Sequence, residues 1–411
     1  VLSGPVQTWI YKGDTFDYED SRNKVFADDQ EDGDLTKSII QEGSVDTSKL
    51  GDQTITYKVT DSDGNTTSHQ TTVTVLEKDS TDASKKNIKR ELYTLPNASH
   101  LTNIGFGRGY DHDRQNLGFW LPANETLTIR LVNHDEFNDA LTLKLLNNDA
   151  YTENLVFMEK DGTESAYDDN RSSINLPGNG DWITVKNKCY VQDKAGNKTT
   201  ELQSVDSVPF IYTPKNTTVK PIIEVKWSDA LHSIPYYRYG DDEEAFFAGW
   251  DKSNAPYGII EGDAATFLVP VKDKKHIIHY QDAKYPSYSF GTIDEMLEWY
   301  ASFVKQYDKF SGLDFYAKEP YNQNVRAKFF IKANKHGVGF AYYSNDHSAT
   351  NQDSLAAYLC KAWVSLHEFG HGYEGAIARQ ENSFVETTNN IMGYYFEKLY
   401  REEEDLGWLL E

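Results

Sequence analysis

Two cysteines, Cys189 and Cys360, are all that 411 residues contain, too few for a disulfide framework, a CxxC pair or a thiolate zinc site. Cys360 sits in an apolar stretch that reads as helix, so packing, with any bound ion, has to carry the stability. Basic residues are also scarce. Lys and Arg number 41 against 64 Asp and Glu, a formal net charge of -23, and no cluster of Lys and Arg with interleaved aromatics offsets it. A phosphate backbone would be repelled, which excludes nucleic acid as the expected partner. No run approaches the roughly 20 apolar residues that span a bilayer, so no transmembrane segment is expected and the chain reads as soluble. The first residue is valine, with no charged region and apolar core behind it; the chain reads as a processed or excised segment, and the missing leader carries no information.

What is present falls into regions of different periodicity. The length suits about two to four domains. Residues 1–78 alternate β-branched and polar positions in TWIYKG, DQTITYKVTD and SHQTTVTVLE, with Ile55, Tyr57, Val59, Val73 and Val75 on the inward face of a small β-sandwich. DSDGN at Asp61–Asn65 and the crowded Asp28, Asp29, Glu31, Asp32 and Asp34 could suggest Ca2+. Counted as an EF-hand loop from Asp61, however, position 6 is Thr66 instead of Gly and position 12 is Thr72 instead of Glu, which excludes the helical calcium loop. A hairpin turn using Asp, Gly and Asn is the preferred reading; DKAGNKTT at Asp193–Thr200 reads as a second one.

Residues 79–106 are polar and aperiodic, a linker or a packed connecting segment. From 107 to 225 short β-like runs return, TLTIRLVN, DWITV and PIIEVKW, the pattern of a second β-sandwich. From 226 to 411 the pattern changes to α+β with a mostly helical C-terminal part. Ile293, Met296, Leu297, Tyr300, Phe303, Val304 and Tyr307 repeat at helical spacing, and Thr292 with Glu295 forms a capping box. AKFFIK and GVGFAYY read as strands. A long helix is expected from about Ser354 to Tyr373, burying Leu355, Leu359, Ala362 and Leu366, and another from about Ser383 to Glu404, carrying Ile391, Met392, Tyr395, Phe396 and Leu399.

LHEFGHGYEG, Leu366–Gly375, carries the chemistry. Helix positions four apart share a face, so His367 and His371 can offer two imidazole nitrogens to one ion while Glu368 leans beside it. Catalytic zinc takes three protein ligands and keeps one place for water, and a neighbouring carboxylate can move that water's proton to the leaving amine. A bare HxxxH pair would mean core or surface histidines; Glu in second place favours the enzyme. Glu374 and Ile377 stand where the metzincin pattern needs Gly and His, which excludes that class. Glu374, Glu381, Glu386 and Glu397 are candidates for the third ligand. Glu374 follows too closely and Glu397 lies too far along. Glu386 can face the histidines across a short loop, but Ser383 to Glu386 also fits a capping box, and spacing alone leaves both readings open.

Two resemblances bear on these readings. Residues 13–75, with the acidic turn Ala27–Leu35, Val45-Asp46-Thr47, Gly51 and TYKVTDSDGN, resemble the bacterial immunoglobulin-like modules of cell-surface proteins, which act as spacers. HEFGH, 14 residues, then ETTNN resembles the HExxH, spacer, E signature of the enhancin-like, mucin-targeting gluzincin metallopeptidases. That resemblance implies Zn2+ held by His367, His371 and Glu386, with Glu368 as general base and acid. RQNLGFWLPANETLTIRLVN, SVPFIYTP, AGWDKSNAPYG and GVGFAYYS extend it over about residues 107–411. One departure is the ending at Glu411, where such domains continue with more helices, so part of the substrate wall, including an oxyanion-stabilising group, is expected to be missing or unrecognisable.

Gluzincins pair substrate with an edge strand beside the zinc helix. Gly337–Tyr343 stands at that place, making Gly339, Phe340, Ala341 and Tyr342 candidate substrate contacts. The segment lacks the GxMEN sequence of aminopeptidase gluzincins, which favours an endopeptidase. Aromatics reach 13%; most belong in cores, but Trp250 and Tyr257 in AGWDKSNAPYG are further candidate contacts. The resulting expectation is a multidomain bacterial protein, secreted or attached to the surface. It would be a monomer whose partner is a glycoprotein or mucin substrate. The competing readings are a glycan-binding adhesin with a vestigial zinc site and a general zinc peptidase indifferent to sugars.

Overall fold

A computed structural model describes residues 1–78, 87–98, 100–101, 109–148, 153–158, 164–165, 174–189, 195, 197, 199, 201, 203–278, 288–335, 339–374 and 385–404. They form two compact units, Val1–Leu95 with Gln115–Ile234, and Pro96–Arg114 with Pro235–Glu411.

The first unit is built of β-sheet. Strands Gly51–Thr60 and Thr66–Leu76 pair antiparallel with Tyr57 opposite His69. The turn between them is the expected hairpin: Asp61 Oδ1 accepts the Asn65 N–H at 2.7 Å, and Gly64 takes the positive φ of +86° that glycine tolerates. Alternation puts Ile55, Tyr57, Val59 and Val73 into one core with Leu2 and Ala27. In the acidic turn, the Asp32 carboxylate accepts the Ser62 backbone N–H at 2.7 Å and its hydroxyl at 2.6 Å, tying that turn to the hairpin. The turn read at Asp193–Thr200 falls mostly outside the described residues.

The polar stretch after residue 78 contains a strand, Ile88–Glu91, hydrogen-bonded on one side to Leu2–Tyr11 and on the other to Ile222–Val225. It sits mid-sheet, so one continuous sheet runs from the N-terminal strands through Ile88–Glu91 and Ile222–Val225 to Leu127–Leu131. A second sheet containing Leu141–Leu146, Ile174–Leu176 and Val208–Tyr212 faces it across a core of Leu127, Ile129, Leu131, Leu143, Leu145 and Ile211, the two-sheet packing of a sandwich.

The second unit has a six-stranded mixed sheet in the order Tyr236–Arg238, Tyr257–Glu261, Ala265–Pro270, Phe329–Ala333, Ser348–Thr350, Ala341–Tyr343. Helix α1 is Glu243–Ser253, α2 Ile293–Phe310, α3 Trp363–Gly370 and α4 Val385–Glu404. Thr292 caps α2 by accepting the Glu295 N–H at 3.0 Å, and Glu295 accepts the Gly291 N–H at 2.6 Å. All seven residues of the α2 stripe read from the sequence are buried.

The helix expected from Ser354 is shorter. Leu355 and Leu359 are buried as expected, but residues 354–362 make only a 3-10 turn at Ala356–Tyr358, flanked by tertiary hydrogen bonds: Asp273 takes the Ser354 hydroxyl and the Leu355 N–H, and Tyr288 O takes the Lys361 N–H. Ala362 is extended and half-buried, and α3 starts only after it. The last helix turns a mixed apolar and polar face to the core. Met392 and Phe396 are buried, but Ile391 and Tyr395 are exposed, while Asn389 and Glu397 turn inward.

Candidate metal centre

Three tyrosines and a ring stack fix α3 on α2. The Tyr300 hydroxyl lies 2.7 Å from both Tyr358 O and Ser365 Oγ, the Tyr307 hydroxyl donates to Leu366 O at 3.0 Å, and Tyr373 donates to Asp308 at 2.8 Å. Phe303 meets Phe369 edge-on, with centroids 5.2 Å apart. This buries the Leu366/Phe369 face and turns His367 and His371 to the other side.

Helix α4 closes that side. A Cβ built on Gly370 would stand 2.7 Å from Asn389 Cβ and 2.8 Å from its Cα, so the glycine between the two histidines is what lets α4 approach. The first turn of α4 then brings Glu386 over both rings. Its Oε2 is 3.2 Å from His367 Nε2 and 3.8 Å from His371 Nε2, and one ligand atom from each of these residues lies within 4.8 Å of the others. The two imidazoles stand edge to face at 5.0 Å.

The far nitrogens of the rings are held by protein. His367 Nδ1–H donates to Asn390 Oδ1 at 2.9 Å, and His371 Nδ1–H to Glu374 Oε1 at 2.6 Å. That leaves lone pairs on both Nε2 atoms, which the buried Asn389 amide approaches at 3.2 and 3.1 Å. Such outer partners fix tautomer and ring orientation in metal sites. Burial opposes charge on His371, but the Glu374 bond and the surrounding carboxylates outweigh it and raise its pKa.

Glu368 is buried, with Oε2 4.0 Å from His371 Nε2. Burial, reinforced by Glu386 and Glu374 against the pull of the histidines, raises its pKa, the direction expected of a general base poised nearer neutrality. Three carboxylates around two imidazoles make a site whose charge a cation would neutralise, and the cluster of His367, His371 and Glu386 has the donor set to hold a metal ion.

The strand Ala341–Tyr343 is the outermost of its sheet, and with Ser344 and Asn345 it forms the cleft wall facing the histidines. Of the residues singled out from sequence, Ala341 and Tyr342 are therefore at the cleft. Phe340 is 48% exposed just before the strand, and Gly339 has φ +82° with open space around it. Trp250 and Tyr257 are elsewhere. Trp250 lies on α1, 1% exposed, its indole N–H donating to Ala255 O at 2.9 Å, and Tyr257 opens a central strand at 8% exposure. Both are core residues, so as substrate contacts they are corrected: Phe246 and Trp250 form the buried face of α1.

Sequence reasoning missed Glu374, Asn389 and Asn390 as partners of the histidines. The signals were there in spacing: Glu374 is three residues past His371, and the asparagines are three and four past Glu386, on the same helix face. It also missed His112, whose Nε2–H donates to Ser344 O at 2.9 Å and whose ring stacks on Tyr343 at 4.8 Å; nothing local in the sequence marks it.

With this geometry in hand, comparison with known proteins identifies both ends of the chain. Residues 1–75 match the bacterial surface protein Ig-like domain, and residues 231–406 match peptidase M60, enhancin and enhancin-like. No curated protein matches the chain. Among solved structures, a functionally unknown conserved protein from Bacillus anthracis str. Ames has 12% identity and a TM-score of 0.52 over 78% of this chain and 58% of that one. The M60 catalytic domain of Clostridium perfringens ZmpC, solved with the sialyl T antigen, has 15% identity and a TM-score of 0.48 over 76% and 57%. The chain thus spans less than two thirds of these structures. In order along the chain, a region that matches the Ig-like domain of bacterial surface proteins is followed by one that matches the M60, enhancin-like peptidases, in a multidomain fold with β-sandwich first and a helix-rich region last.

Proposed function

We propose that the chain is a zinc endopeptidase that cleaves glycoproteins such as mucins outside the bacterial cell, secreted or attached to its surface. The observation that carries this reading is the convergence of His367 Nε2, His371 Nε2 and the Glu386 carboxylate beside a buried Glu368. The donor set suits zinc: around a tetrahedral ion with bonds of about 2.0–2.1 Å, ligand atoms stand about 3.3–3.4 Å apart, close to the 3.2 and 3.8 Å measured from Glu386 to the two rings. Zinc bound there would polarise the scissile carbonyl and acidify a water molecule.

The protein's own groups do the rest. Asn390 and Glu374 hold both Nε2 lone pairs on the side of Glu386, where an ion would be bound. Glu368 takes the proton of the attacking water and delivers it to the departing nitrogen. The edge strand Ala341–Tyr343 offers its open side to an extended substrate backbone. The glycoprotein substrate is supported by the M60 match over residues 231–406, and the extracellular location by the Ig-like domain. Among the described residues no helix is long and apolar enough to cross a membrane.

The test is incubation with a mucin and with the same mucin stripped of glycans, each with and without a chelator. New fragments from the glycosylated substrate alone, abolished by chelation and restored by zinc, are expected. Equal cleavage of both substrates would remove glycan recognition from the reading, and no cleavage of either by the zinc-loaded protein would remove the peptidase.

A further inference from the structure

The turn Ser344–His347 follows the edge strand Ala341–Tyr343 and carries the cleft wall past the strand's end. Its hydrogen-bonding groups are spent inside the protein. The Ser344 N–H donates to His347 O at 2.8 Å, and Ser344 O accepts from His112 Nε2 at 2.9 Å. Asp346 O accepts from the Arg114 guanidinium, and the Asp346 and His347 N–H groups reach the Ser344 hydroxyl at 3.4 and 3.2 Å. The Asp346 carboxylate holds His347 Nδ1 at 2.7 Å. Asn345 is the exception. It is exposed, it lines the cleft together with His367, Glu368 and Glu386, and its carboxamide makes no hydrogen bond among the described residues.

We propose that the Asn345 carboxamide binds a peptide unit of the substrate main chain, extending by one side chain the ladder that the edge strand begins. The inference rests on the zinc peptidase reading of the same cleft. A substrate paired with the open side of Ala341–Tyr343 meets Ser344 next, where both backbone groups are already engaged. The carboxamide carries the same two groups as a peptide unit, an N–H donor and a C=O acceptor, and stands one residue further on.

The chemistry of the other cleft groups makes that donor count. Glu368, Glu374 and Glu386 only accept hydrogen bonds when ionised, and the two histidine Nε2 atoms face Glu386. A substrate carbonyl near the end of the strand therefore needs an N–H from elsewhere, and Asn345 has one to give. The turn is already fixed by its internal bonds, so binding orders one exposed side chain and little else. A contact of this kind reads the main chain and is indifferent to substrate side chains and sugars.

The test uses probes anchored on the metal. Acetohydroxamate, the anchor alone, and tri-alanine carrying a hydroxamate at either its amino or its carboxyl end are titrated by calorimetry into the zinc-loaded full chain. Alanine has neither a sugar nor a polar side chain, so any gain over acetohydroxamate that depends on Asn345 reports on the main chain. At least one tri-alanine probe is expected to bind more tightly than acetohydroxamate. Asn345→Ala, and Asn345→Asp, which keeps the shape but removes the donor, should each weaken that probe about three- to tenfold, the worth of one or two hydrogen bonds, with acetohydroxamate unchanged. If acetohydroxamate does not bind, the zinc reading fails and takes this inference with it. Where acetohydroxamate binds, the inference alone is overturned by tri-alanine probes that gain nothing over it, by undiminished tri-alanine binding in both variants, or by an equal loss of acetohydroxamate, which would assign Asn345 to the metal site.

Discussion

Two pairs of histidines in the second unit show how neighbours decide what an imidazole does. His367 and His371 each have Nδ1 held, by Asn390 and Glu374, and turn Nε2 toward Glu386, with the Asn389 amide of the facing helix also within reach of both. His112 and His347 have both nitrogens engaged. His112 bonds Ser344 O and accepts the Phe330 N–H at 3.4 Å; His347 donates through Nδ1 to Asp346 at 2.7 Å and accepts the Tyr342 hydroxyl at 2.8 Å through Nε2. Burial pushes the pKa of His112 down to about 3 and lowers that of His347 against the opposing pull of Asp346. One pair is left able to bind a ligand; the other is a brace under the strand that walls the cleft.

The comparison breaks most visibly at Glu368. Glu368→Gln should keep both imidazoles and their metal but lose about 10²–10⁴-fold in cleavage rate, the usual worth of a general acid–base; metal analysis beside a glycoprotein cleavage assay reads both, and wild-type cleavage by the variant would take Glu368 out of the chemistry. Glu374→Gln frees His371 Nδ1 from its charged partner and should weaken metal affinity about 10–100-fold, measured by competition with a chromophoric chelator. Gly370→Ala places a methyl against the Asn389 backbone and should cost about 1–3 kcal/mol, seen in denaturant unfolding, with Glu386 displaced from the histidines and metal affinity reduced as well.

The bracing pair is tested by acid. Because the His112 pKa is lowered on folding, the unfolded chain binds more protons between about pH 6.5 and 3, so stability is full above that window and falls as pH drops through it. From pH 6.5 to 5 the loss is about 2 kcal/mol, and His112→Asn should flatten that slope in unfolding curves recorded across the range. An unchanged slope would assign the acid sensitivity to other groups. The smallest effect is expected from Tyr342→Phe, which removes the hydroxyl bonded to His347 and should cost about 1 kcal/mol, with thermal unfolding as the readout.

What was legible in the sequence follows the range of the interactions involved. The α2 stripe, the hairpin at Asp61–Asn65 and the 367/371 spacing are local, encoded by period and turn chemistry, and the structure contains all three as read. The start of α3 was misread because Asp273 and Tyr288, distant in sequence, claim the backbone of residues 354–361. The buried face of α4 is not legible from hydrophobicity, because Ile391 and Tyr395 are exposed while Asn389 and Glu397 turn inward. Ile88–Glu91 looked like linker because its alternation covers only four residues, Ile88 and Arg90 on one side, Lys89 and Glu91 on the other. The contribution of His112 is carried by a contact across more than 200 positions, which no window on the sequence reports.

That short strand also sets how the first unit responds to tension. Ile88–Glu91 is zipped laterally to Leu2–Tyr11 and to Ile222–Val225, so the immunoglobulin-like strands have no swivel against the sandwich beside them. Drawing them apart demands breaking the backbone ladders on both edges of Ile88–Glu91, so the two parts of this unit respond to load as one stiff body.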